Sequence, residues 1–335
     1  MRKTICLALV LAMLIATGSL FARGEGEAAA PRRQIINVAS TFPGGSPQDQ
    51  GLNVFKDLVE ERSDGRFQVI IHTGGSMGSE RETFEQLSDG SVELGAMGTG
   101  DIAQFYTEYA VSEVPYIFTS VDQFWNYWEG PIGQEIEGII ERERGVRTIG
   151  VVLRGARYLT TSNTPVRSVE DVRGLTMRLP PVPSWFAVWE HLGALPSAID
   201  FAEVYLALQT GTVEAQENPP ETILNYNFHE VQQYLIQTEH IFSAARFQMS
   251  MAWFNRLSAD DQQLILDAME EGTAYANEIT RDGDAEFVRI LVEEHGMTLI
   301  EVDQEEFQQA VQPVLERLAR EEWVPGLYQR LQDEL

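Results

Sequence analysis

Two stretches, EDVRGLTMRLP (170–180) and LGALPSAIDFAEVYLALQTGTVEAQENP (192–219), alternate short apolar runs with helix-type patterns. Leu175–Arg178 reads as a strand, Ser184–Leu192 as a helix, Ala202–Gln209 as a second helix and Val213–Gln216 as a strand. Alternation of this kind packs as a mostly parallel sheet with helices on its faces. The same pattern extends toward the N-terminus. Ile35–Ser40, Phe67–His72, Val92–Met97 and Arg147–Leu153 read as strands. Pro47–Arg62 reads as a helix with Leu52, Phe55 and Val59 on one face, and Ser79 with Glu82 forms a capping box. Toward the C-terminus, Ser258 and Asp261 cap a helix whose apolar positions Ile265, Met269, Ala276 and Ile279 continue through Leu291, interrupted by Gly283. A helix near 35 residues is long for one compact domain, which predicts a kinked helix lying across two.

The N-terminal residues read as an export signal. Arg2 and Lys3 precede an apolar run at 5–17, and small residues lead to a cleavage position after Ala22. No second apolar run reaches spanning length, so no stable membrane insertion of the mature chain is expected. Residues 23–33 read as a flexible leader. Cys6 is the single cysteine and lies inside the signal, so neither a disulfide nor a thiol nucleophile is expected after cleavage. Residues 1–22 hold two basic and no acidic residues; without them 22 basic face 51 acidic side chains, a net charge of −29. That charge excludes nucleic acid as a partner, because phosphate binding needs a basic surface. The five histidines have no metal-ligand spacing, and neither a metal nor a cofactor is expected.

From Gly155 to His240 the chain resembles the solute-binding subunits of tripartite ATP-independent periplasmic (TRAP) transporters, in the dicarboxylate-binding-type family. The stretches that carry the resemblance are GARYLTTSN (155–163), the two quoted above, and FHEVQQYL (228–235). Weaker matches lie at GGSMGSERETFEQLSDGSVELGAM (74–97) and VPYIF (114–118). The resemblance implies an α/β, two-domain periplasmic solute-binding fold, with mixed sheets flanked by helices and a long kinked helix spanning both domains. Domain I would hold 34–157 plus 243–283, and domain II 158–242 plus 284–335. A small organic carboxylate, a sugar acid or hydroxy acid among the options, would bind in the interdomain cleft and pass to membrane permease subunits of the transporter.

The resemblance also implies site residues. In G-L-x-x-R-x-P the arginine, here Arg178, would form a two-point salt bridge with the ligand carboxylate, which suits a planar guanidinium. Asn218, of Q-E-N-P, would hydrogen-bond the same carboxylate, and Arg157 matches a position that often holds a second positive group. Phe201 matches an aromatic wall, and Glu80 and Asp101 are polar candidates from domain I. The sialic-acid branch has a ligand-contacting asparagine three positions after the arginine; here Pro181 stands there, which argues against sialic acid.

Other uses compete for these residues. Arg178 suits a buried ion pair with Glu203 or Glu217, and Asn218 before Pro219 suits a helix cap. Arg154 and Arg157 are three apart, so on a regular strand they point to opposite faces and one of them lines the cleft. Trp185, Phe186 and Trp189, at helical spacing, read as core. Gly74-Gly75-Ser76-Met77-Gly78 matches G-x-S-x-G, which makes a secreted serine hydrolase using Ser76 the alternative. The capping box at Ser79 counts against it, because a nucleophile elbow starts its helix directly behind the serine.

Overall fold

The computed structural model describes residues 33–335. The expected export signal and residues 23–32 of the expected leader lie outside the described residues.

The first part of the chain forms β1 (Gln34–Ser40), α1 (Pro47–Arg62), β2 (Phe67–His72), α2 (Glu80–Asp89), β3 (Leu94–Met97), α3 (Gly100–Phe105), α4 (Val121–Glu129), α5 (Pro131–Arg144) and β4 (Val146–Ala156). The middle forms β5 (Tyr158–Thr161), β6 (Thr176–Leu179), α6 (Pro183–His191), β7 (Leu195–Ala198), α7 (Val204–Gln209), β8 (Ala215–Asn218), α8 (Pro220–Asn225) and β9 (Tyr234–Gln237). The rest forms β10 (Phe242–Ser250), α9 (Met251–Phe254), α10 (Ala259–Arg289), β11 (Thr298–Glu301), α11 (Gln304–Glu321) and α12 (Leu327–Glu334).

The strands make two sheets, ordered β2-β1-β3-β10-β4 and β11-β9-β5-β8-β6-β7. Both are mixed rather than mostly parallel. In the first, β1 and β3 are parallel while β10 runs antiparallel to β3 and β4. In the second, β6 is parallel to β7 and β8, and β5 is antiparallel to β8 and β9. The reason lies in the connection between the sheets. β4 passes through Arg157 alone into β5, and β10, which follows β9 after a short turn, pairs back along β4 with Phe242 opposite Ala156. Two crossing strands side by side must run in opposite senses.

The apolar faces read from sequence are buried. Leu52, Phe55 and Val59 of α1 meet Ile265, Met269 and Ala276 of α10 in one core beneath the first sheet. A second core runs on from Phe84 and Leu87 through Phe124 and Tyr127 to Met177, Trp189 and Phe307. A third lies around Val204, Ile223 and Leu291. α10 packs on α1 and β4 and also touches α8, so it reaches elements beside both sheets. The Ser258 hydroxyl caps its start by accepting from the Asp261 N–H, and helical structure runs unbroken through Gly283. The irregularity comes later, as one π-helical turn at Ile290–Glu294.

α1 and α10 cross very closely because two glycines face each other. A Cβ on Gly51 would stand 2.5 Å from the Gly272 carbonyl oxygen and 2.8 Å from the Ala276 Cβ. We expect Gly51→Val to destabilise the fold by about 1–3 kcal/mol through overpacking. Urea denaturation checks this; an unchanged midpoint would mean that the helices separate freely.

Candidate functional site

In open α/β sheets ligands collect beyond the carboxyl ends of the strands. A cavity of about 580 Å³ occupies that position between the two sheets. Thr41 and Phe42 follow β1, Gly98 and Thr99 follow β3, and Pro180 and Pro181 follow β6, each group lining the cavity wall. Arg154, Arg157, Arg178, Phe201, Asn218 and Glu80 line it as well.

Arg178 sits on β6 with 3% of its surface exposed. Its Nε donates to the Ile199 carbonyl at 2.8 Å, which fixes the plane of the guanidinium. The guanidinium lies over Phe201, 5.6 Å from the ring centroid, and Phe201 is braced edge-on by Tyr226 at 4.5 Å. Among the described residues no carboxylate lies within 4.0 Å of Arg178, and its two terminal amino groups have no hydrogen-bond acceptor. Burial pushes its pKa down to about 10, so it remains a cation at neutral pH. The arrangement is a fork held by one nitrogen, with the other two presented to the cavity.

Glu217 is taken by Arg157, not by Arg178. The Nε and Nη2 of Arg157 donate to the two carboxylate oxygens of Glu217, the latter at 2.8 Å. Nη2 also reaches the Glu217 carbonyl at 2.7 Å and Asn218 Oδ1 at 3.0 Å. His240 Nε2 lies 3.1 Å from the same carboxylate and its Nδ1 2.8 Å from Thr238 Oγ1. Burial alone would push the Glu217 pKa up; Arg157 and His240 outweigh it and hold the acid at about 2. Burial also lowers the His240 pKa, so the neutral ring donates from Nε2 to Glu217 and accepts from Thr238. Asn218 does not cap α8, whose N-cap is Pro219; its amide donates to Gln216 Oε1 at 2.6 Å.

Arg154 and Arg157 both line the cavity, against the expectation that strand alternation would turn one of them away. Gly155 explains the difference. Its φ of +85° breaks the alternation, in a stretch where the β4–β10 register also shifts. A side chain at 155 would also collide with Asp284, whose Oδ1 stands 2.5 Å from the Cβ position.

Glu80 accepts from Gly98 N–H at 2.8 Å and faces the cavity from the N-terminus of α2. Asp101 requires a correction, since it is not part of the lining. It is 1% exposed on α3, and its carboxylate is taken by the Nη2 of Arg246, a fully buried arginine of β10. Arginine in the middle of a sheet demands a counter-ion, and Asp101 together with Glu137 supplies it.

Glu113 and Trp185 are among the lining residues that the sequence reading does not assign to the site. Glu113 is buried, accepts from Thr99 Oγ1 at 2.5 Å and Ser112 Oγ at 3.1 Å, and its pKa is pushed up to about 7 by burial. The available signal is one acid within the otherwise uncharged AVSEVPYIF (110–118). Trp185 has the helical spacing of a core residue, yet it lines the cavity with its ring 4.9 Å from the Arg157 guanidinium carbon. Ser76 is exposed on a turn flanked by glycines with positive φ, outside the cavity lining, and the helix behind it begins at Glu80.

Comparison with known proteins agrees with this geometry. A profile described as bacterial extracellular solute-binding protein, family 7, matches residues 38–322. A solute-binding protein of Verminephrobacter eiseniae is 33% identical over 288 residues, covering 86% of this chain and 85% of that protein. A TRAP periplasmic solute-binding protein of Roseobacter denitrificans, solved with bound L-galactonate, superposes with a TM-score of 0.79 at 30% identity, covering 86% of this chain and 99% of that one. A TRAP protein of Polaromonas, solved with D-erythronate, gives 0.83 at 28% identity over 90% and 98%. These matches set aside the hydrolase alternative. An extended profile match, relatives of near-equal length and a cavity lined by three buried arginines between two mixed sheets together place the chain in bacterial extracellular solute-binding protein family 7, the solute-binding subunits of TRAP transporters.

Proposed function

We propose that this protein captures a polyhydroxylated organic acid outside the cytoplasm and presents it to the membrane permease subunits of its transporter. The observation that carries the reading is Arg178, a buried, oriented guanidinium with two free amino groups and no acidic partner among the described residues. A carboxylate matches that fork and is bound most strongly where water is excluded. Asn218, held by Arg157 and Gln216, is set to steady the same headgroup. Glu80 and Glu113 accept hydrogen bonds, which suits a ligand rich in hydroxyls. That solved relatives hold D-erythronate and L-galactonate supports the same class.

Domain I is proposed as 34–157 plus 243–283 and domain II as 158–242 plus 284–335, each with one sheet. The acid would dock on Arg178 while the lobes are apart, and contacts from the first lobe would then favour closure. Only contacts stronger in the closed form shift that population. Among the described residues no helix is long and apolar enough to cross a membrane. Passage through the membrane is assigned to the separate permease subunits of the transporter.

Arg178→Ala should weaken binding of the best sugar acid from a thermal-shift panel by about 30- to 1000-fold, with the melting temperature of the free protein little changed. Arg178→Lys should also weaken it, since a point charge cannot replace the fork. Calorimetry checks both; unchanged affinity in Arg178→Ala would remove the assignment. A second expectation concerns Glu113, whose pKa rises from 4.5 to about 7 on folding. Between those values the folded state holds the proton more tightly, so stability falls as pH rises through the window, by about 3 kcal/mol for this group. Glu113→Gln should lose that fall, read as a smaller difference between urea midpoints at pH 5 and pH 8.

A further inference from the structure

The cavity contains three buried arginines, and their partners differ. Arg157 is neutralised by Glu217. Arg178 is the fork assigned to a carboxylate. Arg154, 8% exposed, likewise has no carboxylate within 4.0 Å among the described residues. Its Nη2 donates to Thr222 Oγ1 at 3.0 Å, and its Nη1 reaches Ser243 Oγ only at 3.5 Å. Its Nε is buried with no acceptor. The guanidinium packs on Phe42, 5.0 Å from the ring centroid, so one face is shielded from water.

No carboxylate pairs with Arg154 directly; Glu221 opposes its charge through Thr222, whose hydroxyl accepts from Arg154 and donates to Glu221. Glu221 receives Asn225 Nδ2 at 2.6 Å and Thr222 Oγ1 at 3.0 Å, while Glu80 receives the Gly98 amide. A desolvated guanidinium with no direct ion pair and an unmet Nε–H is unfavourable, and the Thr222 and Ser243 hydroxyls that face it carry no charge. Two guanidinium groups without a direct ion pair, in one cavity, match a ligand with two anionic heads.

We infer that Arg154 is a specificity residue that receives a second carboxylate, so that the preferred ligand is a hydroxylated diacid of the aldaric type rather than a monoacid. This rests on the reading of Arg178 as the first carboxylate site. The inference depends on Gly155, which turns Arg154 into the same space as Arg157.

The test compares acids that differ at one terminal carbon. D-glucarate is set against D-gluconate, and L-tartrate against L-threonate, by calorimetry with the intact protein. We expect the diacid to bind at least about tenfold more tightly than its monoacid partner at one chain length or both, equivalent to about 1.4 kcal/mol. In Arg154→Gln the ratio should fall to about one, while Arg178→Ala should weaken diacid and monoacid alike. If monoacids bind through Arg178 and the diacids bind no better, the role of Arg154 is overturned and the carboxylate site stands. If Arg154→Gln leaves the ratio intact, the role is overturned as well. If none of the four acids binds, both the carboxylate reading of Arg178 and the role of Arg154 are overturned. Melting temperatures of the free variants separate loss of recognition from loss of fold.

Discussion

The pairing of Glu217 with Arg157 sets the electrostatics of the whole cavity. β5 and β8 are antiparallel with Leu159 opposite Glu217 and Tyr158 opposite Asn218, a register that brings the residue before β5 against the acid. Both side chains are buried, and such a pair adds little net stability by itself. Its effect is geometric. Removing the acid would leave three guanidinium groups together in a poorly solvated space, and removing Arg157 would leave an ionised carboxylate where an anionic ligand must enter. With the pair in place, one cation is silenced and held as scaffolding for Asn218. His240, neutral and buried, adds a further donor to the same carboxylate oxygen that Arg157 Nε holds.

The surface charge and the buried arginines of the cavity act on an acid in opposite senses. The net charge of the whole chain is −27. Such a surface repels anions at long range, but over distances beyond about 10 Å salt screens that repulsion, and far less screening reaches a buried site. Capture of an acid is therefore governed inside the cavity and by the ionic strength outside it. Only two lysines occur in the chain, Lys3 and Lys56, so positive charge is carried almost wholly by arginine, the side chain that remains protonated when desolvated.

The fold was legible where local rules decide it. Leu52, Phe55 and Val59 predicted the buried face of α1, and Ser79 with Glu82 predicted a capping box that forms with both reciprocal bonds. Sheet polarity was less legible, because the antiparallel β10 belongs to the first sheet through a return from the second, a non-local fact. At the site, the positions of Arg178, Phe201 and Asn218 along the wall could be anticipated from the motif block. The partner of Glu217 could not, since choosing between Arg157 and Arg178 needs the β5–β8 register. Asp101 misleads for the same kind of reason: its buried partner Arg246 is 145 positions away. Trp185 follows helical periodicity and still faces the ligand space, because periodicity says which side is apolar and not what occupies it.

Gly155 carries a wider implication. Residue 154 chooses which charge stands at that end of the cavity, while residue 155 permits it to face inward, and any side chain there would strike Asp284 on α10. Chemical selectivity and backbone geometry are thus written in adjacent but separate codons. A descendant lineage can trade one ligand preference for another by substitutions at the first, leaving the second and the architecture around it untouched.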